Sequence, residues 1–221
     1  MADESTGIAQ KAELVDAGES SRIRDLKAGS EDAFDWLIAQ YAARVFRLAY
    51  RILNDHADAS DAVQEVFLKV VRGIGEFQEE SSLKTWIFRI TVNTASNQNR
   101  WWRRHKERER SLDAEGAATG EARYEPPDRG RNPYETLLSR ETEELVRKAL
   151  ARLPECFRTV LVLREMEGLS YEEVADILHL SLGTVKSRIA RARLALKKEL
   201  ESVLDRAPAA VPAWNAAETA E

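Results

Sequence analysis

The fold class expected of this 221-residue chain is all-α, with two small helical domains joined by a flexible linker. Three observations carry that expectation. Apolar residues recur three and four apart through most of the chain, which is the spacing of one helix face. Leu112 to Pro133, rich in Gly, Ala, Pro and acids, has no such period and divides the chain in two. Leu169 to Leu196, LSYEEVADILHLSLGTVKSRIARARLAL, reads as two short helices meeting at a tight turn. The expected organisation is a disordered arm over 1–21, a domain over 22–110, a linker over 111–132, a second domain over 133–205 and a disordered tail over 206–221.

Residues up to about Ser21 are small and polar, too poor in apolar surface to fold. Ser30 is a candidate cap for the first long helix, with Glu31 and Asp32 in its opening turn. Phe34, Leu37, Ile38, Tyr41, Val45, Leu48 and Ile52 form its apolar stripe, and Asn54 and Asp55 end it. A second helix, about Asp58 to Ile74, buries Val63, Val66, Phe67 and Val70, and Gly73 and Gly75 close it. Its other side carries Asp61, Gln64, Glu65, Leu68 and Arg72. A leucine ringed by polar groups is either incidental or a docking point for another protein.

The loop Gly75 to Ser82 is polar except for Phe77. A third helix, from about Leu83 to Arg104, packs through Leu83, Trp86, Ile87, Ile90 and Thr94. Arg89, Asn93, Asn97, Arg100 and Arg104 then share its outer side, spaced by four, four, three and four. Amides can pair with base edges and guanidiniums can hold phosphates, so this side fits nucleic acid. Trp101 and Trp102 stand among the cations, where they can stack on unpaired bases or pack on a neighbouring helix.

Beyond the linker, Tyr134 to Leu153 is helical, Pro154 breaks it, and a further segment runs through Cys156, Val160, Leu161 and Leu163 to Gly168. Cys156, beside apolar neighbours, is expected in the core. Ser170 with Glu173 forms a capping box, and Val174, Ile177 and Leu178 face inward. After a break at His179 to Leu182, Ser181 caps a last helix whose inner positions are Val185, Ile189, Ala192 and Leu196. Lys186, Ser187, Ala190 and Arg191 share the outward side, where cations meet phosphates or guanine edges and small side chains admit the DNA backbone. This is helix-turn-helix geometry with the second helix as reader. An ordinary helical hairpin with a solvated basic side is the competing reading.

The net charge of -5 argues against a polyanionic partner, but the distribution outweighs the sum. Arg100 to Arg110 holds six Lys/Arg against two Glu, Thr184 to Leu200 six against one, and Met1 to Ser20 five acids against one Lys. Such polarity suits separate surfaces for DNA and for a protein partner. The single cysteine excludes an internal disulfide framework, and the scattered His56, His105 and His179 offer no metal-ligand spacing. No apolar run approaches the roughly 20 residues that span a bilayer, and the signal-peptide layout is missing, so a cytoplasmic protein without membrane insertion is expected. No nucleophile–base pair or phosphate-cradling Gly-rich loop stands out, so neither catalytic residues nor a cofactor are expected.

Asp58 to Arg72 (DASDAVQEVFLKVVR), Phe77 to Arg100 (FQEESSLKTWIFRITVNTASNQNR) and Leu153 to Arg193, in that order about a short linker, resemble the extracytoplasmic-function (ECF) sigma factors of the sigma-70 family. The resemblance covers about Ile23 to Leu204 and implies a sigma region 2-like bundle followed by a region 4-like helix-turn-helix. It implies core RNA polymerase and promoter DNA as partners, with an anti-sigma factor as a further one. Asp61, Gln64, Glu65 and Leu68 match the segment that docks on the polymerase. Phe77, Ser81 and Ser82 of the loop, with Arg89, Asn93, Asn97, Arg100 and Arg104, match the elements that hold the melted -10 element around a flipped-out base. Thr184, Val185, Lys186, Ser187, Arg188 and Arg191 match the helix that reads the -35 element. Ser181 stands where many relatives have Pro, and Asn97 where Asp is frequent, so promoter preference does not carry over. The rival readings are a free-standing helix-turn-helix regulator acting without polymerase and a nucleic-acid-processing enzyme, the second disfavoured by the missing acid cluster.

Overall fold

The computed structural model describes residues 18–109 and 133–206, with side chains over 18–101 and 142–202, and contains helices and turns without a strand among them. Linker 111–132, most of the arm and the tail beyond Arg206 lie outside the described residues. A helix crosses the boundary expected at residue 21 between the arm and the first domain. This helix, α1 (18–27), buries Ile23 and Leu26 against the bundle, two apolar residues too few to register as a stripe. Gly29, at φ 79°, lets the chain turn back, its N–H donating to Leu26 O.

α2 (Glu31–Leu53) is preceded by Ser30 in extended geometry, without a side-chain capping bond. Its stripe buries Leu37, Tyr41, Val45, Leu48 and Ile52, while Phe34 is half-buried and Ile38 is exposed. Burial, with Glu19 nearby adding to it, pushes the Tyr41 hydroxyl up to about 12. Asn54 ends α2 in the left-handed conformation, donating to Tyr50 O at 2.7 Å. Asp55 then caps α3 (His56–Gly73) by accepting the Asp58 N–H at 2.9 Å, which starts α3 two residues before the expected Asp58. Val66 and Val70 of α3 meet α2 and α4 (Leu83–Glu109), with Ile87, Phe88 and Ala95 completing the three-helix core. Gly73 ends α3 beside the Trp86 ring of α4, where a Cβ would stand in ordinary contact at 3.4 Å.

The second unit begins with α5 (Pro133–Arg152). Pro154 precedes α6 (Glu155–Leu161), which relaxes into a wider π-turn over Val162–Met166. Cys156 is exposed, correcting the expectation of a core thiol. On so short a helix the buried positions are Thr159, Val160 and Leu161, and Cys156 falls on the other side. Gly168, at φ 68°, turns the chain into α7 (Tyr171–Leu178), and Arg164 pins the corner by donating to Leu169 O while its guanidinium lies 4.7 Å from the Tyr171 ring. α8 (Leu182–Arg206) follows after His179, which adopts φ 52° at the tight turn.

The cores of the two units are continuous, forming one connected apolar cluster. Polar bonds reinforce the join along α2. Arg51 pairs with Glu167 at 3.1 Å, Arg158 donates to Ile52 O at 2.8 Å and Arg147 donates to Asn54 at 3.0 Å. Burial holds the Arg51 guanidinium below its usual range, an effect the Glu167 carboxylate opposes.

Candidate nucleic-acid interface

Three helix faces gather the residues singled out in the sequence. On α3, Asp61, Gln64, Glu65 and Leu68 are all exposed, Leu68 at 51%. Their spacing of three, one and three puts them on a single side, and neighbouring Val71, also 51% exposed, extends the apolar point into a small patch. Lys69 reaches from beside this face to α4, pairing with Glu65 at 3.2 Å and donating to Thr94 at 3.0 Å.

On α4, Asn93, Asn97 and Arg100 are exposed along one side, and Arg89 is half-buried at its start. Arg104 lies on the same helix, its side chain outside the described residues, as is that of Trp102. Between α4 and α3 opens a cleft of about 510 Å³, with Asn97, Arg100 and Trp101 on one wall and Asp61, Glu65 and Lys69 on the other. Trp101 is 45% exposed there, so its indole is presented to solvent rather than fully consumed by packing. Ser82 anchors the N-terminus of α4, accepting the Thr85 N–H at 3.1 Å and sharing a hydroxyl bond with Thr85 at 2.8 Å. Ser81 is half-buried beside it.

Phe77 departs from the expected presentation. It is 6% exposed, its ring 5.0 Å from that of Trp86, with the Lys27 ammonium 5.9 Å from its face. As the one large apolar residue in a polar loop, it is drawn into the core and fixes the loop from beneath.

The helix-turn-helix forms as the sequence pattern predicts. Glu173 N–H donates to Ser170 Oγ at 3.0 Å, and Ser170 N–H donates to Glu173 Oε2 at 2.7 Å. Ser181 accepts the Thr184 N–H at 3.2 Å, its hydroxyl 2.8 Å from that of Thr184, which starts α8. Lys186, Ser187, Ala190 and Arg191 are exposed on one side, Thr184 and Arg188 are half-buried, and Arg191 leans back on the Ser187 carbonyl at 3.3 Å. Val185 is corrected: it is fully buried, on the same inner stripe as Ile189 and Ala192, and cannot reach a base edge from there. Pointing inward, it seats α8.

Sequence reasoning missed several residues that bear on these faces. Asp176 of α7 binds Arg89, Glu173 accepts a hydrogen bond from Thr85 at 3.3 Å, and Glu165 holds Arg193 of α8 at 2.6 Å. Glu165 also holds the Arg193 guanidinium above its usual range through that hydrogen bond. The available signal was the acid run on α7, Glu172, Glu173 and Asp176, opposite in sign to the outer side of α4. Among the described residues no group of His, Cys, Asp and Glu is placed to hold a metal ion, and no helix is long and apolar enough to cross a membrane.

A three-helix bundle with a polar, basic helix face, tethered to a helix-turn-helix whose second helix is basic, defines a DNA-binding protein of two modules. Residues 37–108 match the family model for Sigma-70 region 2, and residues 143–196 that for Sigma-70 region 4. The chain is 36% identical over 191 residues to the RNA polymerase sigma-H factor of Pseudomonas aeruginosa, covering 86% of this chain and 98% of that protein. It is equally identical, over 188 residues, to the ECF RNA polymerase sigma-E factor of Escherichia coli, covering 83% and 95%. The fold is similar to that of RpoE of Bartonella quintana in its complex with the anti-sigma factor NepR, with a TM-score of 0.59 at 27% identity over 76% of this chain and 96% of that one. CnrH, solved in complex with the cytosolic domain of CnrY, shares the fold at a TM-score of 0.58 and 23% identity, over 83% and 97%. The chain belongs to the ECF sigma factors of the sigma-70 family, and is thus a transcription initiation factor of bacterial RNA polymerase.

Proposed function

We propose that this sigma factor divides polymerase docking and promoter recognition among its three faces. Asp61, Gln64, Glu65 and Leu68 dock α3 on core polymerase, with Leu68 as the apolar point inside a charged rim. Asn93, Asn97 and Arg100 of α4, with Arg104 further along the helix and the loop to Ser81 and Ser82 at its start, hold the separated strand of the -10 element. Amides there pair with unstacked base edges and guanidiniums neutralise the backbone. Phe77 shapes the base pocket from below rather than stacking in it. Lys186, Ser187, Arg188 and Arg191, with Thr184 at the helix start, read the -35 element in the major groove.

Flipping a base out of the stack costs a few kcal/mol, so a preformed amide-lined surface favours the open strand over the duplex. The observation that carries the reading is the single file of Asn93, Asn97 and Arg100, exposed along one side of α4 in a family of initiation factors. An anti-sigma factor is the expected inhibitor, as one is bound to the B. quintana relative, and the cytoplasm is the expected location because polymerase works there. A free-standing regulator is not favoured, since both units match sigma-70 models.

Replacing Asn93 and Asn97 together with Ala should impair promoter opening more than polymerase binding. Permanganate footprinting of the -10 region, beside a core-binding assay, reads the two separately. Unchanged melting with intact binding counts against the assignment of α4.

A further inference from the structure

The loop between α3 and α4 is pinned at both ends by its own neighbours. Phe77 sinks into the core beside Trp86, and Ser82 caps α4 by accepting the Thr85 N–H. Between them Gln78, Glu79 and Glu80 are exposed, and Glu79 holds φ 59°, a left-handed conformation that a residue with a Cβ keeps when its surroundings impose it. The constraint comes from a third element. Lys27, the last residue of α1, donates to Glu79 Oε1 at 2.8 Å, and its ammonium lies 5.9 Å from the centroid of the Phe77 ring. Helix α1 is itself fixed, with Ile23 and Leu26 buried in the bundle, so Lys27 reaches the loop from a rigid base.

We propose that Lys27 is a positioning residue for the -10 element: by clamping Glu79 it fixes the backbone over 78–81 in the course that meets the flipped-out base. This rests on the reading of the loop as part of the -10 face and names the residue that sets its geometry. The pair also answers a problem of charge. Glu76, Glu79 and Glu80 set three carboxylates close together in a segment that receives a polyanion under that reading. Pairing with Lys27 draws the Glu79 carboxylate toward α1 and neutralises it there. Lys27 suits its place for a second reason, since a cation at the last residue of a helix is favoured by the carbonyl dipoles that end there.

The test uses the full chain and two readouts. Amide order over 78–81, from NMR relaxation of the free chain, reports the clamp. Abortive transcription by the holoenzyme, on four templates that differ only at the -10 base held out of the stack, reports its use. Lys27→Met and Glu79→Gln should each loosen the loop and lower discrimination between the best and worst templates about two- to fivefold, the worth of one exposed ion pair. Lys27→Arg should keep both properties, and the exchanged pair Lys27→Glu with Glu79→Lys should recover them. The double variant Lys27→Met with Glu79→Gln carries the net charge of the parent chain without the clamp, and should stay impaired. If Lys27→Met leaves the loop as ordered as before, the clamp does not exist, whatever the templates show. If the double variant discriminates like the parent chain, the pair acts through charge alone and the positioning role is overturned. If the loop loosens and discrimination is unchanged, the loop does not read the -10 element, and the proposal falls with that reading.

Discussion

On α8, Lys186, Ser187, Ala190 and Arg191 stand exposed, and among the described residues Arg191 bonds back within its own helix, to Ser187. On α4 the corresponding surface begins with Arg89 tied to Asp176 of the other unit. Under the proposed roles, the difference follows from what each face would read. A major groove exists before initiation, so the helix that enters it gains from being rigid and uncovered beforehand. Separated strand exists only after melting, so a face devoted to it can be covered at no cost to the first encounter. Rigidity of α8 comes from its other side, where Val185, Ile189 and Ala192 are buried against α6 and α7.

The largest break in this contrast comes from loosening that inner side. Ile189, at 2% exposure, lies at the centre of the stripe. Ile189→Ala should destabilise the second unit by about 2 to 5 kcal/mol through lost apolar burial and the cavity left behind. Urea unfolding measures the loss. The same variant should abolish -35 use while binding of core polymerase through α3 survives, because α3 belongs to the other bundle. Equal loss of both activities would mean that the units stand or fall together across their continuous core.

Arg191→Ala sharpens the contrast at the exposed side itself. If Arg191 makes a bidentate contact to guanine, the variant should lose about 1 to 3 kcal/mol on promoters carrying that base and little on others. Run-off transcription over a panel of -35 substitutions distinguishes this from a phosphate contact, which would weaken every sequence alike and reduce the salt dependence of binding.

Local signals were enough to read most of this architecture. The capping box at Ser170 and Glu173, the Ser181 cap, the end of α2 at Asn54 and the break at Pro154 are set by residues within four positions of one another. The faces of α3 and α4 were legible for the same reason, since helical spacing fixes which side chains share a side. The errors arose where tertiary packing decides. Val185 belongs to the stripe that its spacing from Ile189 indicates, and counting it among DNA contacts ran against that spacing. Phe77 is named among the -10 contacts on the resemblance alone, and an aromatic in such a polar loop gains more by entering the core beside Trp86. Cys156 erred in the opposite direction, its apolar neighbours occupying the buried side of a short helix. The bonds from α7 to α4 were out of reach, since partners such as Arg89 and Asp176 stand 87 residues apart in sequence.

The smallest effects concern the two serine caps, and they follow the same division between enclosed and open surfaces. Ser170 is half-buried and joined to Glu173 by two reciprocal bonds, while Glu173 also accepts from Thr85 across the units. Its removal therefore frays α7 and disturbs the carboxylate that leans on α4. Ser181 is exposed, so water can take over the N–H groups that it leaves. Ser170→Ala should cost about 1 to 2 kcal/mol and Ser181→Ala about 0.5 kcal/mol, opposite ends of the range for such caps. Urea midpoints at unchanged slope give both values. A larger loss for Ser181 would show that the start of α8 depends on its cap more than on the inner stripe, and this uncovered helix would then owe its order to the turn.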